Sequence, residues 1–243
     1  MNRIKTSFIT PSTTVGEIVA DNYNAAGILK KHGLDFCCGG GKTLEEACNK
    51  NGINPEELLE ELEGLNKPVE SSQQDFNKWS PDHLIDHIEQ THHQYVRSKI
   101  NEISGYAAKV ASVKGEQYPE VKEVFHLFNR LIDELLDHLH AEEETVFPGI
   151  RKIYEKRLEG NPVETELTDV LKQQLETMVE DHDEAGNVMR RIRGLTNAYT
   201  PPEGACTTFR ILYQNLETFE ADLHKHVHLE NNILFKKAEK LIA

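Results

Sequence analysis

The chain has 243 residues, 27 of them Lys or Arg and 41 Asp or Glu, giving a formal charge of −14 with neutral histidines. A polymer so acidic is repelled by nucleic-acid backbones and anionic lipid, and no Lys/Arg block makes a local exception, so the expected partners are proteins, metals and small molecules, with no nucleic acid and no membrane. The opening MNRIKTSFIT lacks a signal-peptide core and no apolar run nears the roughly 18 residues of a bilayer span, so the expected location is cytoplasmic.

Residues 1–65 read as a small helical domain. Val15, Ile18 and Val19 mark one helix; Ala25, Ile28 and Leu29 mark a second, stopped by Gly33. A turn-rich Cys37-Cys38-Gly39-Gly40-Gly41 follows, then Thr43 as N-cap of a helix over Leu44–Lys50, then Asn54-Pro55-Glu56-Glu57 opening a helix to Leu65. So small a core needs a partner surface, which makes a homodimer through this domain an expectation. Residues 66–78 have the polar composition of a linker, with Phe76 and Trp79 as docking side chains. From residue 79 to 243 the pattern is four long helices, near 81–110, 119–154, 163–195 and 203–241, with Gly115 and Pro119, Gly160 and Pro162, and Pro201-Pro202 between them. Short connections between amphipathic helices of this length predict an all-α, antiparallel four-helix bundle.

Eleven of the twelve histidines lie beyond residue 80, many beside acids. His138 to Phe147 and His226 to Phe235 echo each other, each holding a His and a Glu four apart, which puts both side chains on one helical face. His138 and Glu142 share the apolar stripe of Phe128, Leu131, Leu135, Leu139 and Val146, whereas Glu144 lies outside it. Glu230 sits at the centre, and His226 at the edge, of the stripe of Leu216, Phe219, Leu223, Val227 and Leu234; His228 points away. His182 lies amid Leu171, Leu175, Met178, Ala185 and Met189. In the first bundle helix the wheel mildly prefers His92 to His93. A lone core histidine is explained by a hydrogen bond, but two glutamates on core faces are costly as isolated charges, and a metal pair neutralises them. Four neutral imidazoles and two carboxylates carry −2, so two divalent ions call for an additional oxide or hydroxide. Nitrogen and oxygen donors without thiolate suit Fe, Mn or Zn.

The four cysteines, Cys37, Cys38, Cys48 and Cys206, read as thiols, since adjacent residues make a poor disulfide framework. The glycines after Cys37 and Cys38 let both sulfurs face outward, where they can bind a soft metal, form a mixed disulfide or react with a nitrosylating agent; the alternative is a pair of small apolar residues filling a small core. Cys48 and Cys206 read as structural, and His87, His126, His140, His224 and His228 as surface groups or groups behind the ligands. The Glu142-Glu143-Glu144 run reads as a solvated face except at Glu142.

A resemblance covers nearly the whole chain. It rests on Leu34-Asp-Phe-Cys37-Cys38-Gly39-Gly40, Asp86-His-Ile-Glu-Gln-Thr-His-His93, His138 to Pro148, Glu180-Asp-His182-Asp-Glu-Ala-Gly186, Pro201-Pro-Glu-Gly-Ala-Cys206 and His226 to Phe235. The bundle resembles a haemerythrin-type domain, and the chain is similar to the di-iron iron–sulfur cluster repair proteins, the RIC family of ScdA and YtfE type. The resemblance implies His93, His138, Glu142, His182, His226 and Glu230 as ligands, with the glutamates bridging, and so favours His93 over His92. It implies two non-haem iron ions with an oxo or hydroxo bridge, a functional role for Cys37 and Cys38, and repair of clusters damaged by oxidative or nitrosative stress. Damaged or apo iron–sulfur proteins are then the partners, and the protein is more an iron donor than a turnover enzyme. Reduction of NO or peroxide, and sensing or storage of O2 or NO, are the competing readings. Four histidines rather than five, and Glu230 where oxygen carriers have Asp, point away from reversible oxygen carriage.

Overall fold

A computed structural model of the chain describes residues 9–66 and 75–243, so most of the expected linker and of the opening decapeptide lies outside the described residues. Among those described there is helix but no strand, only an isolated bridge between Thr14 and Thr43. The chain forms two compact units, one of Met1–Ser80 with Val227–Lys237, the other of Pro81–His226 with Ala238–Ala243.

In the first unit, α1 (Val15–Asp21) and α3 (Leu44–Asn51) each begin with a capping box, Thr14 with Glu17 and Thr43 with Glu46, in which side chain and backbone satisfy each other's free N–H groups. α2 (Ala25–Lys31) ends before Gly33, whose φ of +70° lies in the left-handed region that favours glycine. α4 (Pro55–Glu63) has Asn54 as N-cap and Pro55 in its first turn. Leu29, Leu44, Leu58 and Leu62 are buried to within 1%, each contributing about 1.5–3 kcal/mol by leaving water. Phe76 is buried and meets Trp79 edge-on, with ring centroids 4.9 Å apart.

The rest of this core comes from the far end of the chain. His228, expected at the surface or behind the ligands, is buried with its ring near Phe36 and Tyr23, and burial pushes its pKa down to about 4. Asn232 donates to the Phe36 carbonyl at 3.1 Å, Asn231 to that of Cys37 at 3.5 Å, and Lys237 to that of Asn77 at 2.8 Å. Gly16 N–H donates to the Gly40 carbonyl at 2.9 Å, an approach close enough that a β-carbon on either glycine would collide with Asn232.

The second unit is the antiparallel bundle. Its first helix runs through α5 (Pro81–His87), a π-helical turn (Ile88–His93) and α6 (Gln94–Lys114). Its second runs through α7 (Glu120–Ala141), a π turn (Glu142–Val146) and α8 (Phe147–Leu158). The third is α9 (Thr165–Leu195), and the fourth runs through α10 (Thr207–Leu229), a π turn (Glu230–Leu234) and α11 (Phe235–Ile242), of which Val227–Lys237 belongs to the first unit. α6 packs on α7 and α7 on α9. Phe128 meets Phe219 edge-on at 5.4 Å, and Leu131, Leu135, Leu171, Met189 and Leu216 are buried in the same unit. The buried Glu220 is matched by Arg193, whose Nε and Nη2 donate to it at 2.5–3.0 Å.

Gly40→Ala should lower the unfolding free energy by about 1–3 kcal/mol, since its β-carbon would lie 2.5 Å from Asn232 Oδ1 and 2.6 Å from the Phe36 carbonyl oxygen. Gly27→Ala, in α2 with nothing within 4 Å, should raise it by about 0.5–1 kcal/mol. Denaturant unfolding of the two variants checks the pair.

Candidate metal centre

Three of the four bundle helices are interrupted by π turns, and the interruptions coincide with the histidine and glutamate pattern. His92 and His93 close the first, Glu142 opens the second and Glu230 opens the third. A π turn accommodates an extra residue in the helix, so every later side chain is displaced by about 100° from where an uninterrupted wheel puts it. The wheel's mild preference for His92 over His93 therefore does not carry through the turn, and both are buried. His182 is carried by α9, which is unbroken.

His93, His138, Glu142, His182 and His226 are all at most 6% exposed. Donor atoms of His138, Glu142 and His182 lie within 4.8 Å of one another, as do those of His93, Glu142 and His226. Glu142 belongs to both groups. Its Oε2 is 3.4 Å from His93 Nε2 and its Oε1 is 3.4 Å from His138 Nε2. Within each group the two imidazoles approach through their inner nitrogens, His138 Nε2 to His182 Nε2 at 2.9 Å and His93 Nε2 to His226 Nε2 at 3.2 Å. Glu230, one turn after His226, is fully buried on the helical segment that belongs to the first unit.

The outer nitrogens decide which way the inner ones face. His138 Nδ1 is 3.1 Å from Asp181 Oδ2, and His93 Nδ1 is 2.7 Å from Glu143 Oε1. An ionised carboxylate only accepts, so each Nδ1 carries the proton and each neutral ring turns a bare Nε2 lone pair inward. Such carboxylate-oriented imidazoles, aimed at a shared buried carboxylate, form a cation-binding donor set of nitrogen and oxygen. The His138 contact holds the Asp181 carboxyl below its usual range; burial pushes Glu143 up, but Arg97 and His93 outweigh it and the net shift is down. Arg97 grips Glu143 with two bonds, 2.7 and 3.0 Å.

His92 is as buried as His93 but turns aside: its Nδ1 is 2.9 Å from Asp222, and its ring stacks on His226 with centroids 5.5 Å apart. Sequence reasoning missed Asp181 and Asp222, because a partner from another helix leaves no local pattern. It also treated Glu143 as solvated, although the outer nitrogen of His93 depends on it. His140 is exposed, as expected, and His126 likewise.

The cysteine loop is a separate site. Cys37 is buried, contrary to the expectation that both sulfurs face outward, while Cys38 is half-buried. Asp35 Oδ1 accepts from the Cys37 N–H at 3.1 Å, the Cys38 N–H at 3.0 Å and the Cys37 thiol at 3.2 Å, and the two sulfurs are 3.7 Å apart. The hydrogen bond with Cys38, then burial and the charge of Asp35, push the Cys37 thiol well above its ordinary range. Cys48 is buried and Cys206 exposed.

Comparison with known proteins gives two family matches along the chain. Residues 11–66 match the ScdA_N family, described as a domain of unknown function, and residues 83–238 match the haemerythrin HHE cation binding domain. The chain is 34% identical to the iron-sulfur cluster repair protein ScdA of Staphylococcus haemolyticus, covering 94% of this chain and 99% of that protein. It is 31% identical to ScdA of Staphylococcus epidermidis over the same shares, and 33% identical to the iron-sulfur cluster repair protein YtfE of Yersinia pseudotuberculosis, over 88% of this chain and 90% of that one.

Asp181→Ala and Glu143→Ala should each weaken binding of a divalent cation by roughly 10–100-fold, by releasing the outer nitrogen of His138 or His93. Glu123→Ala, which removes only the exposed ion pair with Arg191, should leave it unchanged. Titration against a chelator of known affinity measures all three.

Proposed function

Because the chain belongs to the iron–sulfur cluster repair proteins of ScdA and YtfE type and carries a haemerythrin HHE domain, we propose that it repairs iron–sulfur clusters damaged by oxidative or nitrosative stress, donating iron from a centre of two non-haem ions. The observation that carries this reading is the divided carboxylate of Glu142, one oxygen toward His93 and the other toward His138. A carboxylate serving a single ion has no need of two histidine groups on opposite oxygens.

In this reading His93 and His226 would hold one iron and His138 and His182 the other, with Glu142 and Glu230 as the carboxylates they would share. Glu230 is assigned because it follows His226 as Glu142 follows His138, four residues on, opening a π turn and fully buried. Bound there, iron supplies a ferrous ion for rebuilding a cluster. The protein's own contribution is to hold that ion without trapping it. Four neutral imidazoles and two carboxylates offset only two of the four positive charges of a ferrous pair, so the cage is electrostatically lean. Asp181 and Glu143 fix the tautomer and direction of two imidazoles, and the apolar stripes of the bundle keep bulk water away from the carboxylates. Iron–sulfur proteins with a damaged or missing cluster are the clients. The names of the relatives favour repair over NO or peroxide reduction and over gas sensing.

Protein purified without added metal should contain about two irons per chain, and the pair Glu142→Gln with Glu230→Gln should contain none. Only the iron-loaded wild type should restore activity to an enzyme whose cluster has been degraded by nitric oxide. Retention of two irons by the double variant removes the ligand assignment, and restoration by its iron-free form at the wild-type rate removes iron donation.

A further inference from the structure

The cysteine loop has a geometry that the hydrogen bonds of a resting turn do not require. Capping the Cys37 and Cys38 N–H groups takes one acceptor oxygen, which Asn would provide as well as Asp, yet residue 35 is a carboxylate whose oxygen also lies 3.2 Å from Cys37 Sγ. The sulfurs are 3.7 Å apart, far beyond the roughly 2.05 Å of a disulfide. In a tetrahedral site with metal–sulfur bonds of about 2.3 Å, two sulfurs stand roughly 3.8 Å apart, and a sulfur and a carboxylate oxygen bound at about 2.0 Å stand roughly 3.5 Å apart. The donor atoms of Asp35, Cys37 and Cys38 all lie within 4.8 Å of one another.

We propose that Asp35, Cys37 and Cys38 form a second, independent cation site, a tripod of one carboxylate oxygen and two thiolate sulfurs for a single thiophilic divalent ion such as zinc or ferrous iron. Binding replaces two thiol protons, which leave to solvent, and sets one positive ion against three negative donors. Three protein donors leave one tetrahedral position open to water or to an incoming ligand, the arrangement of an exchangeable rather than a structural site. Cys38 and Asp35 are half-buried, so the loop keeps a route to solvent, while Cys37 is buried and fixes the base of the tripod. The loop is stiffened around the donors by the Asn232 bond to the Phe36 carbonyl and by Gly40, which admits no β-carbon. The inference stands whatever metal the bundle holds, since the bundle site contains no thiolate.

Cobalt(II) added to the reduced full-length protein tests it, because thiolate-to-cobalt charge-transfer absorption arises only from sulfur ligands and ignores cobalt in the bundle. The band should appear with one cobalt and about two protons released. It should persist in Cys48→Ser and Cys206→Ser and vanish in Cys37→Ser and in Cys38→Ser. Asp35→Asn, which keeps the capping oxygen and loses the charge, should weaken cobalt binding by roughly tenfold or more. If Cys37→Ser fails to fold, the half-buried Cys38→Ser decides. Absence of the band at saturating cobalt, its survival in Cys38→Ser, or unchanged affinity in Asp35→Asn overturns the proposal.

Discussion

The bundle is organised around one costly act, the burial of the Glu142 carboxylate between the inner nitrogens of His93 and His138. A lone carboxylate in an apolar core costs several kcal/mol, and neutral imidazoles that present lone pairs do not offset it. A cation does. The surrounding features follow from that need: Asp181 and Glu143 hold the protons on the outer nitrogens, and Arg97 holds Glu143.

The π turns reconcile two demands on the same helices. An apolar stripe that must seal the core has the period of an α-helix, and residues that must converge on one point need a local change of phase. The extra residue at Ile88–His93, Glu142–Val146 and Glu230–Leu234 supplies that change of phase where the histidines and glutamates lie. His182 reaches the same centre from unbroken α9.

The last helix serves both compact units. Its His226 belongs to the bundle, while the next three turns carry His228, Asn231 and Asn232 into the core of the first unit, against Tyr23, Phe36 and the carbonyl groups beside the cysteines. The cysteine loop is therefore built from residues nearly two hundred positions apart. Its tightest contacts, Gly16 and Gly40 against Asn232, leave no room for a side chain on either glycine.

Helices, caps and most of the inward positions were legible in the sequence because they depend on local chemistry. Thr43 and Asn54 cap as their neighbours dictate, and the stripes around His138, Glu142 and His182 declare which faces are buried. The pairing of Asp181 with His138, Glu143 with His93 and Asn232 with Phe36, the turning of His92 toward Asp222, and the burial of Cys37 and His228 were decided only by tertiary structure. Each depends on a partner from a distant segment or on a π turn that shifts the helical phase, and periodicity along one helix encodes neither.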